Sequence, residues 1–487
     1  MHVALGIDVG TTSCKASVVQ LTDEKRFHVL ESRSQTYDVV TVSNVPGHCE
    51  VPIDLVIESV QKCVNSLSTE LVSRVNYISV CGQMHGCVLW KRKGWLYDQS
   101  RHVYKVKNEN ISHLITWEDQ RCDKLFIDSL PTSPSPLATG YACATVFWLM
   151  KNGDASSPLD HRYDHLASIA DFLVAMLCDS DHVRISPQQA NGFGYFDVDH
   201  NDWARETLKL NEFPMSLLPE IYPTGCLAGS LHHDWAGIGK NTPIFVALGD
   251  LQSSTYACFQ DSCGIAALNI GTSIQLAVCD TSPQSSAKNL NGFASSTHGD
   301  NANHTCQRVP YIGSQHLVVA ASLNGGNVLR HFVSGIQTII EHFTAIKIDS
   351  NKIWSKLLNH LDDSDGDSEL NAQFVATLFG ERHCPNSRAS LSNISADLSV
   401  QKLFKLICQG LIDNIFTMLS IEELKSTFKV SEIRGTGQSL ARNPYLFQYL
   451  KEQAHQKGLK VSIEPQCDAQ VGAVLMVYKS FLNNVAS

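Results

Sequence analysis

Three strand-like runs open the chain: HVALGIDVG, CKASVVQL and FHVLESRSQ, separated by short polar turns. They read as an antiparallel meander over residues 3–35. The period then changes. In VPIDLVIESVQKCVNSL, Pro52 stands near the start and Ile53, Val56, Ile57, Val60, Val64 and Leu67 share one face, which predicts a helix. VNYISVCG follows as a buried strand, ending at Gly82-Gln83-Met84-His85. The polar stretch around Ser100–Asn110 reads as an insertion or loop.

The second half repeats the plan. CGIAALNIGTSIQLAV is again strand, Gly-Thr-Ser turn, strand, about 260 residues after the opening GIDVGTTSCK. That distance is too long for a solenoid and suits a duplicated domain. QKLFKLICQGLIDNIFTML is amphipathic. A strand into RGTGQS, a helix through NPYLFQYLKEQAH, a strand KVSIEP and a closing helix from Ala469 complete the pattern. Strands alternating with helices imply an α/β fold. With 487 residues, at least two domains are expected. The Ser/Asn-rich stretch Thr281–His304 reads as a surface loop without an assigned function.

Composition narrows the partners. A net charge of −10 without a long Lys/Arg run gives little means of gripping nucleic acid through its phosphates. The longest apolar runs, such as FLVAMLC, are far too short to span a bilayer. MHVALGID lacks the layout of a secretory signal. The 16 cysteines include no CxxC pair, and CGQMHGC and CFQDSC lack a second knuckle for a metal. They read as free thiols of a cytosolic protein.

A Gly-Thr-Thr turn between strands presents backbone N–H groups and hydroxyls to one point, as a phosphate cradle would. The bland alternative is an ordinary hairpin turn. Two such turns in matching halves favour the cradle. Asp8, in the strand just before the first turn, would repel phosphates unless Mg²⁺ lay between them. Alternatively, it only accepts hydrogen bonds at the turn. GIGKNT is no Walker loop, and GTGQSL lacks the third glycine of a dinucleotide fingerprint.

In VALGDLQSS an apolar run ends at Gly249-Asp250. A carboxylate at a strand end facing a cleft suits a general base for a primary alcohol attacking phosphorus; a helix N-cap is the alternative. Gln83, His85, Trp117, Glu118, Asp119 and Arg121 form a polar rim with an aromatic wall, as sugar sites do. A structural histidine and a core methionine are the alternatives for His85 and Met84.

GIDVGTTSCK, GQMHG, TWEDQR, GDLQ, NIGTS, SLNGGNVL, GERH and the glycine-rich turn before Arg442-Asn443 follow one another as in the FGGY carbohydrate kinases, which this chain resembles from about Val3 to Tyr478. The resemblance implies an actin-like ATPase fold: two ribonuclease-H-like domains around a central cleft, spanning 1–248 and 249–487. It implies ATP-Mg²⁺ against both Gly-Thr turns, with Asp250 as catalytic base and Asp8 as the carboxylate on the Mg²⁺ side. Thr11, Thr12, Ser13 and Lys15 match the first phosphate loop, and Gly271, Thr272 and Ser273 the second. Gly325, Gly435, Gly437 and Asn443 match positions near the nucleotide. Gln83, Met84 and His85 match the substrate strand end, with Trp117, Asp119 and Arg121 beside it. The spacing before Asn443 departs from the usual glycine run.

LITWEDQRC, TGYACATVFWL, NGFGYFD and LGERH look most like family members acting on a seven-carbon ketose that feeds the pentose phosphate pathway. A pentulose kinase is the alternative within the family. Outside it stand actin-like ATPases that are not kinases, and a sugar sensor. The expected partners are a ketose and ATP, with no nucleic acid or membrane, in a cytoplasmic monomer or homodimer.

Overall fold

The N-terminal runs form β1 (His2–Val9), β2 (Ser13–Leu21) and β3 (Phe27–Thr36), followed by α1 (Ile53–Asn65) and β4 (Tyr77–Gly82). The computed structural model describes residues 2–22, 27–37, 45–153, 158–260, 262, 264–280, 305–359, 372–464 and 467–485; the expected loop Thr281–His304 lies outside them. β5 (Pro243–Phe245), β6 (Leu248–Gly249) and α2 (Asp250–Phe259) come later in the chain. The first sheet has the order β3-β2-β1-β4-β5, with Leu227–Ser230 outside β5 and β6 also paired to β4. β1 runs antiparallel to β2 and parallel to β4.

The second sheet uses β7 (Ile265–Ile270), β8 (Ile274–Asp280), β9 (His316–Ser322), β10 (Glu432–Thr436) and β11 (Lys460–Ile463). Its order is β9-β8-β7-β10-β11, with Cys306–Pro310 outside β9. β7 is antiparallel to β8 and parallel to β10. The third-second-first-fourth-fifth order therefore occurs twice, as the repeated motif predicts. Its helices are α3 (Gly326–Thr344), α4 (Val400–Met418) and α5 (Pro444–Gln456); α4 and α5 stand where the sequence pattern places them, whereas α3 is not among the helices read from it.

Contacts divide the chain into two compact units. One holds residues 1–257, 309–315 and 466–487; the other holds 258–308 and 316–465. The division expected after residue 248 is placed differently. The closing helix α6 (Ala469–Val485) packs on β1, β2 and β4 and so completes the first unit. Gly6 and Gly472 make that packing possible. A Cβ on Gly6 would lie 2.0 Å from the Gln470 carbonyl oxygen, and one on Gly472 would lie 1.8 Å from that of Ser253, within α2. Both neighbours are backbone and cannot swing away.

The stretch around Ser100–Asn110 is not simply a loop. Trp95–Asp98 and Val103–Val106 pair antiparallel, and a short 3₁₀ turn follows at Asn108–Asn110. Alternation brings Tyr104 into the core at 2% exposure. Gln61 of α1 then serves both of its backbone groups, accepting from Tyr104 N and donating to Tyr104 O. Among the described residues no helix is long and apolar enough to cross a membrane. None of the described cysteines is disulfide-bonded.

One buried carboxylate gives the first unit a pH signature. Ser168 caps the helix Ile169–Cys178, accepting from Asp171 N and donating to Asp171 Oδ2 at 2.6 Å. Asp171 Oδ1 has no partner, and burial pushes the carboxyl up to about 7. The folded value lies above the unfolded one, so the native state holds the extra proton between about pH 4 and 7. Stability from this group therefore falls as pH rises through that window. Asp171→Asn removes the ionisation. Relative to wild type it should gain stability from pH 4 to 7, by of order 3–4 kcal/mol, and then level off. Thermal unfolding of both proteins at pH 5 and pH 8 reads this. A difference that stays constant with pH would mean Asp171 is ionised throughout.

Candidate active site

β4 is the common neighbour of the two acidic candidates. Asp8 of β1 lies opposite Cys81, and on the other side of β4 Leu248 and Gly249 lie opposite Cys81 and Gly82. Two segments far apart in sequence thus deliver Asp8 and Asp250 to one strand end. Two glutamines fix the join. Gln188 Oε1 accepts from Gly249 N at 3.0 Å, and Gln189 Nε2 donates to Leu248 O at 2.8 Å and Gly82 O at 3.3 Å. Glycine at 249 leaves room for the Gln252 and Met84 side chains, since a Cβ would lie 2.2 Å from Gln252 Oε1 and 2.8 Å from the Met84 sulfur and would force them to shift.

Asp250 is the first residue of α2 and accepts from Leu251 N at 2.8 Å. Burial pushes its carboxyl up to about 6. Burial, reinforced by the nearby Asp250 charge, pushes Asp8 up to about 7, with Lys15 acting in the opposite direction. Lys15 itself bonds Asp468 at 2.8 Å, so it does not neutralise Asp8 directly. Among the described residues, the one hydrogen bond to the Asp8 carboxylate comes from the Cys81 thiol at 3.9 Å.

The first Gly-Thr turn closes through Gly10 N to Ser13 O at 3.0 Å. Gly10 O accepts from Gln83 Nε2 at 3.2 Å and from the Tyr37 hydroxyl. Trp117 Nε1 donates to Thr11 Oγ1 at 2.9 Å, while Thr12 is exposed. Trp117 and Gln83, read from the sequence as sugar-side residues, therefore also hold the phosphate turn. Met84 is buried at 8% exposure. His85 sits at φ 75°, in the left-handed region, with its ring stacked on Tyr141 at 4.5 Å. Its Nδ1 lies 2.9 Å from Gly192 O, and a carbonyl only accepts, so Nδ1 carries the proton. Tyr141 was not singled out from the sequence, although TGYAC contained it.

Asp119 and Arg121 depart from the expected rim. Asp119 is 0% exposed, and its carboxylate accepts from Arg121 Nε at 2.8 Å and from Cys49 N at 2.7 Å. Arg121 also reaches Glu50 at 2.6 Å. These charges are spent on one another, as buried charges must be. They anchor the segment that carries Trp117, while Glu118 faces solvent.

In the second unit two segments, 325–327 and 437–439, converge on the turn Gly271, Thr272 and Ser273. Gly326 N donates to Gly271 O at 2.9 Å and Asn327 N to Thr272 O at 3.1 Å, which seats the α3 N-terminus on the turn. Ser439 Oγ donates to Gly271 O at 3.1 Å. Gly325 allows the approach, since a Cβ there would lie 2.7 Å from the Ser273 carbonyl carbon. Gly437 has φ 94°, and its Cβ would lie 2.5 Å from Ile270 O. The start of a 19-residue helix beside a Gly-Thr turn is a favourable place for anions. Gly435 is a packing glycine, with its would-be Cβ 2.4 Å from Leu440. Asn443 differs from its expected nucleotide contact. It is 4% exposed, caps α5 by accepting from Tyr445 N and Leu446 N, and donates to the Cys408 sulfur.

The model of the FGGY family of carbohydrate kinases, N-terminal domain, matches residues 3–257, just over half the chain. A sedoheptulokinase of Mus musculus is 35% identical over 99% of this chain and 98% of its own length. The chain belongs to the FGGY carbohydrate kinases. A sedoheptulokinase of Homo sapiens is 34% identical over 100% of this chain and 99% of its own length. The fold agrees. A ligand-bound xylulose kinase of Lactobacillus acidophilus has TM-score 0.73 at 18% identity, covering 99% of this chain and 90% of that one. A Plasmodium falciparum glycerol kinase with ADP gives 0.69 at 16%, with the same coverage. This FGGY kinase is thus an ATP-dependent carbohydrate phosphotransferase with the two-domain actin-like ATPase fold.

Proposed function

We propose that this chain transfers the γ-phosphoryl group of ATP to the terminal hydroxyl of sedoheptulose, giving sedoheptulose 7-phosphate and ADP. The observation that carries the substrate is the relationship to two sedoheptulokinases over essentially the whole chain. Asp250 takes the hydroxyl proton as the oxygen attacks phosphorus. Its carboxyl, at about 6, is ionised at neutral pH yet more basic than an exposed aspartate. His85 and Tyr141 form an aromatic face with polar edges beside the same strand end.

Thr11, Thr12 and Ser13 bind phosphate oxygens through hydroxyls and backbone N–H groups, and Lys15 adds charge beside them. Gly271, Thr272 and Ser273 do the same in the second unit, supported by Gly325 and the α3 N-terminus. Gly435 and Gly437 border the adenosine. The residues fit a Mg²⁺ ion: Asp8 is a half-buried carboxylate with a second carboxylate near it and, among the described residues, no cation bonded to it. Mg²⁺ characteristically takes one or two carboxylates and completes its shell with water and phosphate oxygens. Bound there, it would neutralise phosphate charge. That none of the described cysteines is disulfide-bonded suits a cytosolic protein, acting as a monomer or homodimer.

ADP release over a panel of sedoheptulose, xylulose, ribulose and fructose tests the substrate, with the phosphorylated position read by NMR. Sedoheptulose should give the highest kcat/KM and a 7-phosphate product. A preference for xylulose would replace the reading with that of a pentulose kinase.

A further inference from the structure

Glu381 is 2% exposed, and among the described residues no lysine or arginine pairs with it. Its carboxylate instead accepts four hydrogen bonds. Oε1 takes Ser322 Oγ at 2.6 Å, Asn324 Nδ2 at 2.8 Å and Asn414 Nδ2 at 2.7 Å; Oε2 takes Leu323 N at 2.9 Å. Three of these donors are consecutive residues running from the end of β9 toward α3. The loop they form is fastened again on its outer side, where Asn324 donates to Gly380 O and accepts from Phe379 N.

The next residues in the chain are Gly325 and Gly326, which press on the Gly271–Ser273 turn. The hydrogen bonds of Gly326 N and Asn327 N to that turn require the α3 N-terminus to sit where this loop puts it. A displaced loop would drive Gly325 into the Ser273 backbone or pull the helix off Thr272. We propose that Glu381 is a positioning residue for the nucleotide: through Ser322–Asn324 it sets the second phosphate turn without touching ATP. A carboxylate suits the task because it offers acceptors only, and all four neighbours present donors to it. This rests on the assignment of the Gly271–Ser273 turn to nucleotide phosphates.

Glu381→Gln keeps the shape but turns an NH₂ group toward those donors. KM for ATP should rise about tenfold, the effect of one badly made buried hydrogen bond. KM for the sugar should stay near wild type. A general loss of packing would not divide the two substrates in this way. Ser322→Ala, which deletes a single donor, should move ATP in the same direction by a smaller factor, and it decides the matter if Glu381→Gln does not fold. Thr272→Val is measured alongside. If Thr272→Val raises KM for ATP while the folded Glu381 and Ser322 variants do not, or if those variants raise both constants together, Glu381 does not position the nucleotide. If all three leave KM for ATP unchanged, the assignment of the turn fails and the role of Glu381 fails with it.

Discussion

Asp250→Asn is expected to lower kcat by ~10²–10⁴, the usual share of general-base catalysis. The substitution is nearly isosteric, and its amide oxygen can still accept from Leu251 N, the bond Asp250 makes at the start of α2. The strand end is fixed by Gln188 and Gln189 through backbone atoms of Leu248, Gly249 and Gly82, none of which the change touches. The loss should therefore appear in turnover, with KM for ATP and the melting temperature close to wild type. Steady-state kinetics and a thermal scan of the purified variant are sufficient. Turnover within a few-fold of wild type would leave the hydroxyl proton to another acceptor and remove Asp250 from the chemistry.

Gly472→Val should cost more than ~4 kcal/mol of stability, beyond what most single substitutions do. The added Cβ would lie 1.8 Å from Ser253 O and 2.6 Å from the Ser253 carbonyl carbon, so α6 and α2 would have to separate. A domain holds only about 5–15 kcal/mol in all. Because α2 begins at Asp250, a variant that folds should also lose turnover. Gly335→Ala is the control: it lies in α3 with nothing within 4 Å of the added carbon. An alanine inside a helix is worth up to ~1 kcal/mol over glycine, so this variant should match or exceed wild type. Urea unfolding of the two variants gives the comparison. Wild-type stability in Gly472→Val would mean that the helices can part at no cost.

Local periodicity carried most of the architecture. The doubled strand-turn-strand pattern and the long amphipathic helices stand where the spacing of apolar residues puts them, because a sheet face or helix stripe is written in nearby residues. The placement of α6 is not local. It depends on close approach to β1 and α2, and the hint was a run of small residues, Ala469, Gly472 and Ala473, on an otherwise apolar helix. Asp8 and Asp250 were legible as carboxylates at strand ends, but their shared neighbour β4 follows from pairing across the chain. Asp119, Arg121 and Asn443 show the opposite limit. A polar side chain near a motif has the same letter whether it meets a ligand or another buried group, and their partners Cys49, Glu50 and Cys408 come from other segments. The strand pair Trp95–Asp98 and Val103–Val106 was hidden because its second strand is only four residues long, with Tyr104 alone buried in it.

The docking of α6 on β1, β2 and β4 also orders events during synthesis. The strands β1 to β4, on which α6 packs, are translated within the first 82 residues, and β5 and β6 complete their sheet by Gly249, yet the helix that covers one of its faces begins only at Ala469. While the intervening chain is being made, that apolar face has no native cover, and α2 lacks the helix against which Gly472 seats it. The nascent first unit must wait with an open hydrophobic surface until residues 469–485 have cleared the ribosome. That interval is when a hydrophobic-binding chaperone would find its target on this chain, and when premature termination would leave a fragment holding both Asp8 and Asp250 on a sheet with one face uncovered.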